Sequence, residues 1–482
     1  MKPNVLHLEL PPVRSDASLA LNDLEARVER ARHVSVDEGL QQILGRLFIC
    51  NRSDLPVLER QRVLHLFSAQ YSHYQQQLQA KHATSARLID LCTELAYGYK
   101  RLLQQIALSR SSNRPHLSWA LYTALYFLAQ QLLRNVEIYR QVPAWLWHDA
   151  HTLLRCAEMW KCVDTQVMCP LQPQACDTVR GLHMQMLLLA LSNPYHLPAG
   201  QCLRLFDALT EYAMRANLVL WRPNDSTEAI VVDLNGEQPY LPAQSIPERP
   251  ALYIRRLELS ALLLLIQNAG KTTADPHLST LAKVQNHWQR QQARRHSREQ
   301  ALKPCRVAIG LEPIHQHLLG VNDNLYSAQV LDISHGGARL SCDLALQTQL
   351  DVGQLVLIEL TDRAVLALVR WCYCAEEGLL IGVRQLRGQP CPLWLRRAPA
   401  EQAHRALLQR PNKAPSRPAP NNLWLPKGHF SNGETLWLQP ADQSTTQVIE
   451  LPPPTLKTAF FNGHPLRLPQ APSAQVPVRP TN

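Results

Sequence analysis

Apolar residues recur at three- and four-residue steps over the first half of the chain, which is the spacing of amphipathic helices. The clearest stretch has apolar side chains at Leu121, Leu125, Leu128, Leu132, Val136 and Tyr139. Prolines such as Pro143 and Pro170 punctuate the pattern, because proline interrupts a helix interior. This pattern predicts a mainly helical region over residues 16–290, built from antiparallel helix pairs.

Three stretches of the first 300 residues depart from that spacing. NLVLWRP and AIVVDLNG, within residues 217–245, predict a β-hairpin, and LYIRRLELSALLLLIQNA after them predicts a return to helix. The polar, basic run Lys283–Gln300 holds few core residues and predicts a solvated helix or a linker. Residues 1–15 carry Pro3, Pro11 and Pro12 and are expected to be flexible.

From Arg306 onward the pattern changes to short strands rich in Val, Ile and Leu. SAQVLDIS, ARLSCDL, QLVLIEL, RAVLALVRWCY and GLLIGVRQL are separated by turn residues, which predicts a small antiparallel barrel or sandwich over residues 291–400. GLEPIHQHLLG, residues 310–320, predicts a short helix inserted after the first strand. A small all-β unit is predicted over residues 421–465, with flexible segments at 410–420 and 469–482.

Composition narrows the class of protein only partly. The chain of 482 residues is 46% hydrophobic and 18% charged, as in globular proteins, and its formal net charge is +10. That charge favours an anionic partner such as a nucleotide, a nucleic acid or a membrane surface. MKPNVLHLELPPV lacks the apolar core of a secretory signal, and the apolar runs are too short to span a bilayer. A cytoplasmic protein without a transmembrane segment is therefore expected.

The twelve cysteines are expected to be reduced and buried as small hydrophobic residues. A zinc site at Cys156, Cys162, Cys169 and Cys176 is the alternative, but these spacings are wider than the usual C-x2–4-C pairs. Neither a metal nor a cofactor is predicted. Cys372 and Cys374 flank one residue and would share a strand face, which favours packing over a redox role.

Two stretches carry candidate binding chemistry. Arg294 and Arg298 are four residues apart, and two guanidinium groups suit phosphates or the O6/N7 edge of guanine. DISHGG, Asp332–Gly337, supplies a carboxylate that accepts hydrogen bonds and the hydroxyl of Ser334. Gly337 has no Cβ, so a ligand could approach its backbone. The alternative is a bulged turn, with Asp332 and Ser334 bonded to their own backbone.

R-x-x-x-R at Arg294–Arg298 followed by D-x-S-x-x-G at Asp332–Gly337 resembles the signature of the PilZ domain family, whose members are receptors for cyclic di-GMP. VRWCYCAEEGLLIGVR, residues 369–384, also resembles a late strand pair of that family. The resemblance covers residues 294–400. It implies a six-stranded antiparallel PilZ-like barrel. Together with the patterns described above, the chain is predicted to be a multidomain protein, with an all-α N-terminal region, this barrel and a small C-terminal all-β unit.

The same resemblance assigns roles to the candidate residues. Arg294 and Arg298 would grip phosphate and contact guanine, Asp332 and Ser334 would contact the other base edge, and Gly337 would allow close approach. The inserted segment 310–320 lengthens the gap between the two motifs. Another arginine could therefore substitute, the candidates being Arg295 and Arg306.

The implied function is a receptor that couples cyclic di-GMP binding to a partner-binding helical region. The partner protein is unidentified, and the outputs typical of the family are motility, pili and exopolysaccharide synthesis. Two alternatives stay open: a protein-interaction scaffold whose barrel binds no ligand, and a nucleic-acid-binding protein, suggested by the charge and by Trp288 among basic residues. An enzyme is not predicted, because no G-x-S-x-G elbow, P-loop or H-E-x-x-H is present.

Overall fold

The computed structural model describes residues 6–14, 23–80, 85–109, 114–168, 178–222, 229–246, 252–269, 275–289, 297–321, 324–361, 363–411, 421–441 and 446–466. The chain divides into two compact units, residues 1–293 and 294–482. Among the described residues, no helix has both the length and the apolar character needed to cross a membrane.

The first unit is mainly helical, as predicted. Its described α-helices are α1 (Leu24–Arg30), α2 (Val36–Arg52), α3 (Val57–Ala80), α4 (Ala86–Ala107), α5 (Arg114–Glu137), α6 (Ala144–Met159), α7 (Val179–Leu191), α8 (Gln201–Tyr212), α9 (Ser260–Ala269) and α10 (Pro276–Gln289). Helices α4 and α5 pack along each other at the centre. The apolar series from Leu121 to Val136 is buried on α5, which confirms the helical spacing, and Tyr139 lies just beyond the helix end with a φ of 58°.

A four-stranded antiparallel sheet takes the place of the predicted hairpin among the described residues. Its strands are β1 (Asn217–Leu220), β2 (Ile230–Asp233), β3 (Leu241–Pro242) and β4 (Ile254–Glu258), in the order β1-β4-β2-β3. Strands β1 and β2 do not pair directly, because β4 lies between them. The prediction of helix for LYIRRLEL was wrong, since a short apolar run does not distinguish a strand from a helix.

The polar run after Lys283 begins within a core helix rather than a linker. Leu278, Leu281, Val284 and Trp288 of α10 are buried, and the indole Nε1 of Trp288 donates to Ser192 Oγ at 2.8 Å. The prediction failed because its window began at Lys283, after two of the four buried positions. The burial of Trp288 also removes the exposed aromatic side chain that had suggested nucleic-acid binding.

Residues 6–14 also differ from the expected flexible lead. Leu6 and Leu8 are buried, and the backbone N–H of Arg14 donates to the carbonyl of Arg52 at 2.8 Å. This segment is therefore packed against the helices, although it forms neither helix nor strand.

In the second unit the described residues form a closed six-stranded antiparallel barrel, as the family resemblance implies. The strands are β5 (Glu299–Ile309), β6 (Tyr326–Ser334), β7 (Gly337–Cys342), β8 (Leu355–Glu359), β9 (Ala364–Ala375) and β10 (Gly378–Gln385), in the order β10-β7-β6-β5-β8-β9. Helix α11 (Leu311–Leu318) follows β5, at the position predicted for the inserted helix.

The remaining strands form a seven-stranded sheet within the described residues. They are β11 (Gln389–Arg396), β12 (His404–Arg410), β13 (Asn421–Pro426), β14 (Thr435–Pro440), β15 (Gln447–Glu450), β16 (Leu456–Lys457) and β17 (Phe461–Leu466), in the order β15-β14-β11-β12-β13-β17-β16. A C-terminal all-β unit is confirmed, but it also contains β11 and β12, which precede residue 421. Strand β11 pairs with β12 and β14 rather than with the barrel.

One side of the barrel is covered by α11 and this second sheet. Apolar side chains from all three form one buried cluster: Ala308, Ile314, Leu355, Leu357, Leu366, Leu368, Leu386, Leu407, Trp424 and Phe461. Because side chains alternate along a strand, Val356 and Ala367 are buried on the opposite side, within the barrel. Strands β8 and β9 are thus apolar on both faces over this stretch.

Candidate ligand-binding face of the barrel

The DISHGG stretch forms the hairpin that joins β6 to β7. Ser334 pairs with Gly337 across the hairpin, which leaves His335 and Gly336 as its two turn residues. The Ser334 hydroxyl donates to the carbonyl of Gly337 at 3.2 Å, and the carbonyl of Gly336 accepts from Gln385 N at 3.0 Å. Part of the turn alternative therefore applies, because Ser334 bonds within its own hairpin.

Asp332 is the acidic centre of this region and lies between two guanidinium groups. Nη1 of Arg298 donates to Oδ1 at 3.1 Å, and Nε of Arg339 lies 2.9 Å from Oδ2 as an ion pair. The Asp332 side chain is 9% exposed, whereas the side chains of Arg298 and Arg339 are 35% and 40% exposed. The carboxylate is therefore held in place while both arginines keep faces open to a ligand.

A row of directly paired residues continues from Asp332 across the barrel. Asp332 pairs with Arg339, Arg339 with Gly382, and Gly382 with Trp371. Residues directly opposite one another share a face of the sheet, and the flanking Leu340 and Ile381 point to the buried interior. One outward-facing row therefore carries an acidic residue, a basic residue, a glycine and an aromatic residue, in the order Asp332, Arg339, Gly382 and Trp371.

The indole of Trp371 lies across strand β10 at Gly382. A Cβ on Gly382 would lie 1.9 Å from the Trp371 Nε1 atom, so only glycine leaves room for the ring in this position. A register shift between Gly382 and Val383 makes Arg370 the extra residue beside this pair. The partly exposed indole presents a flat apolar surface next to Arg339, which suits stacking of a base.

Two further basic side chains lie beside the hairpin. Arg384 pairs directly with Gly337 and is exposed. Arg387 lies with its Nη2 at 2.7 Å from His335 Nε2. Together with Arg298 and Arg339 at Asp332, they place four basic side chains on and beside this hairpin, which suits an anionic ligand.

Gly337 has a different structural reason from the one proposed from sequence. A Cβ at this position would lie 2.1 Å from the carbonyl oxygen of Val383. The glycine is therefore required by the close approach of strand β10, and its role toward a ligand stays a prediction. At Gly336 nothing lies within 4 Å of the corresponding position.

Of the arginines proposed from sequence, only some can be placed. Arg298 contacts Asp332 directly, whereas Arg294 and Arg295 lie outside the described residues. Arg306 is engaged elsewhere, with its Nη2 at 2.6 Å from Glu359 Oε2. Arg306 pairs opposite Ser327 while Gln300 pairs opposite Asp332, and the six residue steps from Gln300 to Arg306 span about 20 Å of strand. Arg306 therefore does not substitute for Arg298 at this carboxylate.

The sequence analysis did not propose Arg339 or Trp371 for this site, although the hairpin position allows Arg339 to be predicted. Counting back from a two-residue hairpin at His335–Gly336 places Arg339 close to the position opposite Asp332. Trp371 faces the same row only because of the register shift in strand pair β9–β10, which residue patterns do not reveal.

The cysteines considered for zinc or redox chemistry are buried wherever the structure describes them. Cys156 and Cys162 are buried, burial raises the pKa of Cys156 to about 11, and Cys169 and Cys176 lie outside the described residues. No cluster of three or more potential metal ligands occurs in the described part of the chain. Cys372 and Cys374 are buried, and burial raises the pKa of Cys372, which favours packing.

Comparison with known families agrees with these features. Residues 292–390 match the PilZ domain, and residues 22–223 match a domain described as the N-terminal domain of the cyclic-di-GMP receptor FimW. No curated protein matches the chain. The resemblance inferred from the two motifs is confirmed, and the second match covers most of the helical unit.

Proposed function

Starting from a chain whose residues 292–390 are a PilZ domain, preceded by a helical domain of the FimW receptor type, we propose that this protein is a cyclic di-GMP receptor. The matched families are receptor domains rather than enzymes, and we propose a non-enzymatic, cytoplasmic role. The observation that carries the proposal is the row of Asp332, Arg339, Gly382 and Trp371, with Arg298 bonded to its acidic end.

Each group on this face suits one part of the ligand. Cyclic di-GMP carries two phosphates and two guanines, and guanidinium groups bind both phosphate oxygens and the guanine O6/N7 edge through forked hydrogen bonds. A fixed carboxylate at Asp332 accepts hydrogen bonds from the N1–H and N2–H groups of guanine. The Trp371 indole offers a base a stacking surface worth about 1–3 kcal/mol.

We assign the gripping role to Arg294 and Arg298, and the base contacts to Asp332 and Ser334. Arg339, Trp371 and Arg384 join them on the grounds of the geometry described above. Asp332 now shares its two oxygens between Arg298 and Arg339, so a guanine edge would take over part of that coordination. Arg298 is the partner free to turn toward phosphate, because Arg339 is fixed on the strand paired with Asp332.

The proposed regulation starts at the segment that joins the two units. Arg294 is the first residue of the second unit, and Arg298 immediately precedes β5. Ordering of residues 294–298 around the nucleotide would change how the helical unit and the barrel are disposed, and so expose or hide a surface for a protein partner. Motility, pili and exopolysaccharide synthesis are the candidate outputs.

Calorimetric titration with cyclic di-GMP tests the proposed receptor. The wild-type chain should bind with saturation, and Arg298→Ala should weaken binding by about 10- to 100-fold, because a charge-assisted hydrogen bond contributes about 1.5–3 kcal/mol. The double variant Arg294→Ala/Arg298→Ala should lose more. Arg306→Ala is the matched control and should bind as wild type, since Arg306 is paired with Glu359.

Absence of binding by the folded wild-type chain would reject the receptor proposal and favour the scaffold alternative. Small-angle scattering with and without the nucleotide tests the coupling separately. Saturable binding with an unchanged scattering profile would retain the receptor and reject the proposed rearrangement.

A further inference from the structure

Residues 6–14 lie in a groove formed by helices α2, α4 and α6 of the helical unit. Each of the three helices contributes a contact to the backbone of the segment. The Asp149 carboxylate on α6 accepts from the backbone N–H of Glu9 at 3.0 Å, and Arg101 on α4 donates to the Pro11 carbonyl. The carbonyl of Arg52 on α2 accepts from Arg14 N at 2.8 Å.

The side chains of this segment contact the helices at its two leucines and at Arg14, whose guanidinium lies 6.0 Å from the centre of the Phe48 ring on α2. Leu6 and Leu8 are buried, whereas His7, Glu9, Val13 and Arg14 are exposed. The groove therefore holds an irregular backbone by its N–H and C=O groups and selects leucine in front of the Pro11–Pro12 pair. Backbone hydrogen bonds combined with a few anchoring side chains are the way protein domains recognise extended peptides.

The floor of the groove is a fully buried ion pair. Lys100 Nζ lies 2.5 Å from Asp149 Oδ2, and both side chains are 0% exposed. The rings of Tyr97 and Trp145 lie 4.6 and 4.8 Å from the same ammonium. Burial lowers the pKa of Lys100, and the adjacent Asp149 opposes that shift.

Such a pair is a poor source of stability, because the desolvation of two charges offsets much of their attraction. The geometry of the Lys100–Asp149 pair is better suited to holding a peptide backbone than to stabilising the fold. Lys100 occupies Oδ2 and fixes the carboxylate, whereas Oδ1 accepts from the backbone N–H of Glu9 and has His148 Nδ1 at 3.5 Å.

We propose that this groove is a docking site for an extended, proline-containing segment of a partner protein, and that residues 6–14 occupy it as an intramolecular competitor. The partner segment would carry a leucine followed by a free backbone N–H and then proline, which is the chemistry that Leu8, Glu9 and Pro11 present. Occupation by the chain's own segment lowers the apparent affinity for the partner in proportion to the fraction of open groove.

Fluorescence anisotropy with a labelled peptide of residues 1–14, MKPNVLHLELPPVR, tests this proposal without knowledge of the partner. The full chain is prepared as wild type, as Glu9→Pro, as Glu9→Ala and with residues 1–14 deleted. Both substitutions remove the Glu9 carboxylate. Proline also removes the backbone N–H that donates to Asp149, whereas alanine keeps it. The pair therefore isolates the backbone hydrogen bond.

The deleted chain and Glu9→Pro should bind the peptide with saturation, at least tenfold more tightly than wild type and Glu9→Ala. A peptide carrying Leu8→Asp should not bind. If the deleted chain is folded by circular dichroism but binds no peptide, or if all four chains bind equally, the proposal is overturned. It is also overturned if the deleted chain is unfolded, because residues 6–14 would then be an ordinary part of the fold.

Discussion

The two outer faces of the barrel belong to the same strand system and differ in what their outward side chains can do. On β8 and β9 the outward residues are apolar, such as Leu357 and Leu366, and are buried under α11 and the second sheet. On β6, β7 and β10 the row includes Asp332, Arg339 and Gly382. Covering these charges without partners would cost several kcal/mol, so this face stays open.

The comparison separates stability from recognition within one small fold. The apolar face stabilises the unit by burial, and substitutions there should act on folding. The polar face keeps charged groups fixed but accessible, and substitutions there should act on binding of the proposed ligand. Phe461 represents the apolar face and Asp332 represents the polar face. Both side chains are nearly inaccessible to solvent, so a difference between their substitutions would not come from exposure.

The largest expected effect is on the covered face. Phe461→Ala should lower the free energy of unfolding by about 3–5 kcal/mol, because it leaves a cavity beside Trp424 in the cluster under the barrel. Val448→Ala is the control, since Val448 is 56% exposed on the same sheet and should change stability by less than about 0.5 kcal/mol. Chemical denaturation measures both, and equal effects would mean that this face is not a core.

The next effect concerns the open face. Asp332→Asn should weaken cyclic di-GMP binding by about 1.5–3 kcal/mol, since a charged acceptor is lost. Unfolding free energy should change by less than about 1 kcal/mol, because both arginine partners are partly exposed. Glu359→Gln removes the acid of the Arg306 pair and should leave affinity unchanged. A loss of stability larger than the loss of affinity would place Asp332 with the structural residues.

Gly337 sits where the two classes meet, and a comparison of adjacent glycines decides its role. Gly337→Ala should destabilise the unit by about 1–3 kcal/mol through overpacking, because the new Cβ meets the Val383 carbonyl. Gly336→Ala should lie within about 0.5 kcal/mol of wild type, since its surroundings are open. If Gly337→Ala keeps full stability and loses only ligand affinity, close ligand approach is the true reason for this glycine.

Local periodicity predicted what depends on neighbouring residues, and tertiary pairing accounts for the misses. The α5 helix followed from the three- and four-residue spacing of its apolar side chains, and the barrel strands followed from short runs rich in Val, Ile and Leu between turn residues. Strand β4 was missed, since IRRLE becomes a strand by pairing with β1 and β2 on either side. The sheet membership of β11 likewise depends on pairing with β14, more than 40 residues later in the chain.

The candidate site shows the same division. Asp332 and Ser334 were identified because DISHGG is a contiguous motif, and Arg298 meets Asp332 although 34 residues separate them. The position of Trp371 could not be predicted from the sequence, because it depends on the register shift at Gly382. At Gly337 the structure shows a packing reason for glycine, the backbone of a strand remote in sequence, and the ligand role proposed from sequence stays a prediction.

The smallest expected effect tests whether Trp371 belongs to the open face as a ligand contact. Gly382→Ala forces the indole away, since the new Cβ would lie 1.9 Å from Nε1. Because a stacked base is worth about 1–3 kcal/mol, partial loss of the stack should weaken cyclic di-GMP binding several-fold. Trp371→Phe keeps an aromatic ring and should lose less. Calorimetry of ligand binding and chemical denaturation together decide whether Trp371 is a ligand contact or a structural residue. If affinity is unchanged and stability falls, Trp371 covers β10 as a structural residue, and the open face ends at Arg339.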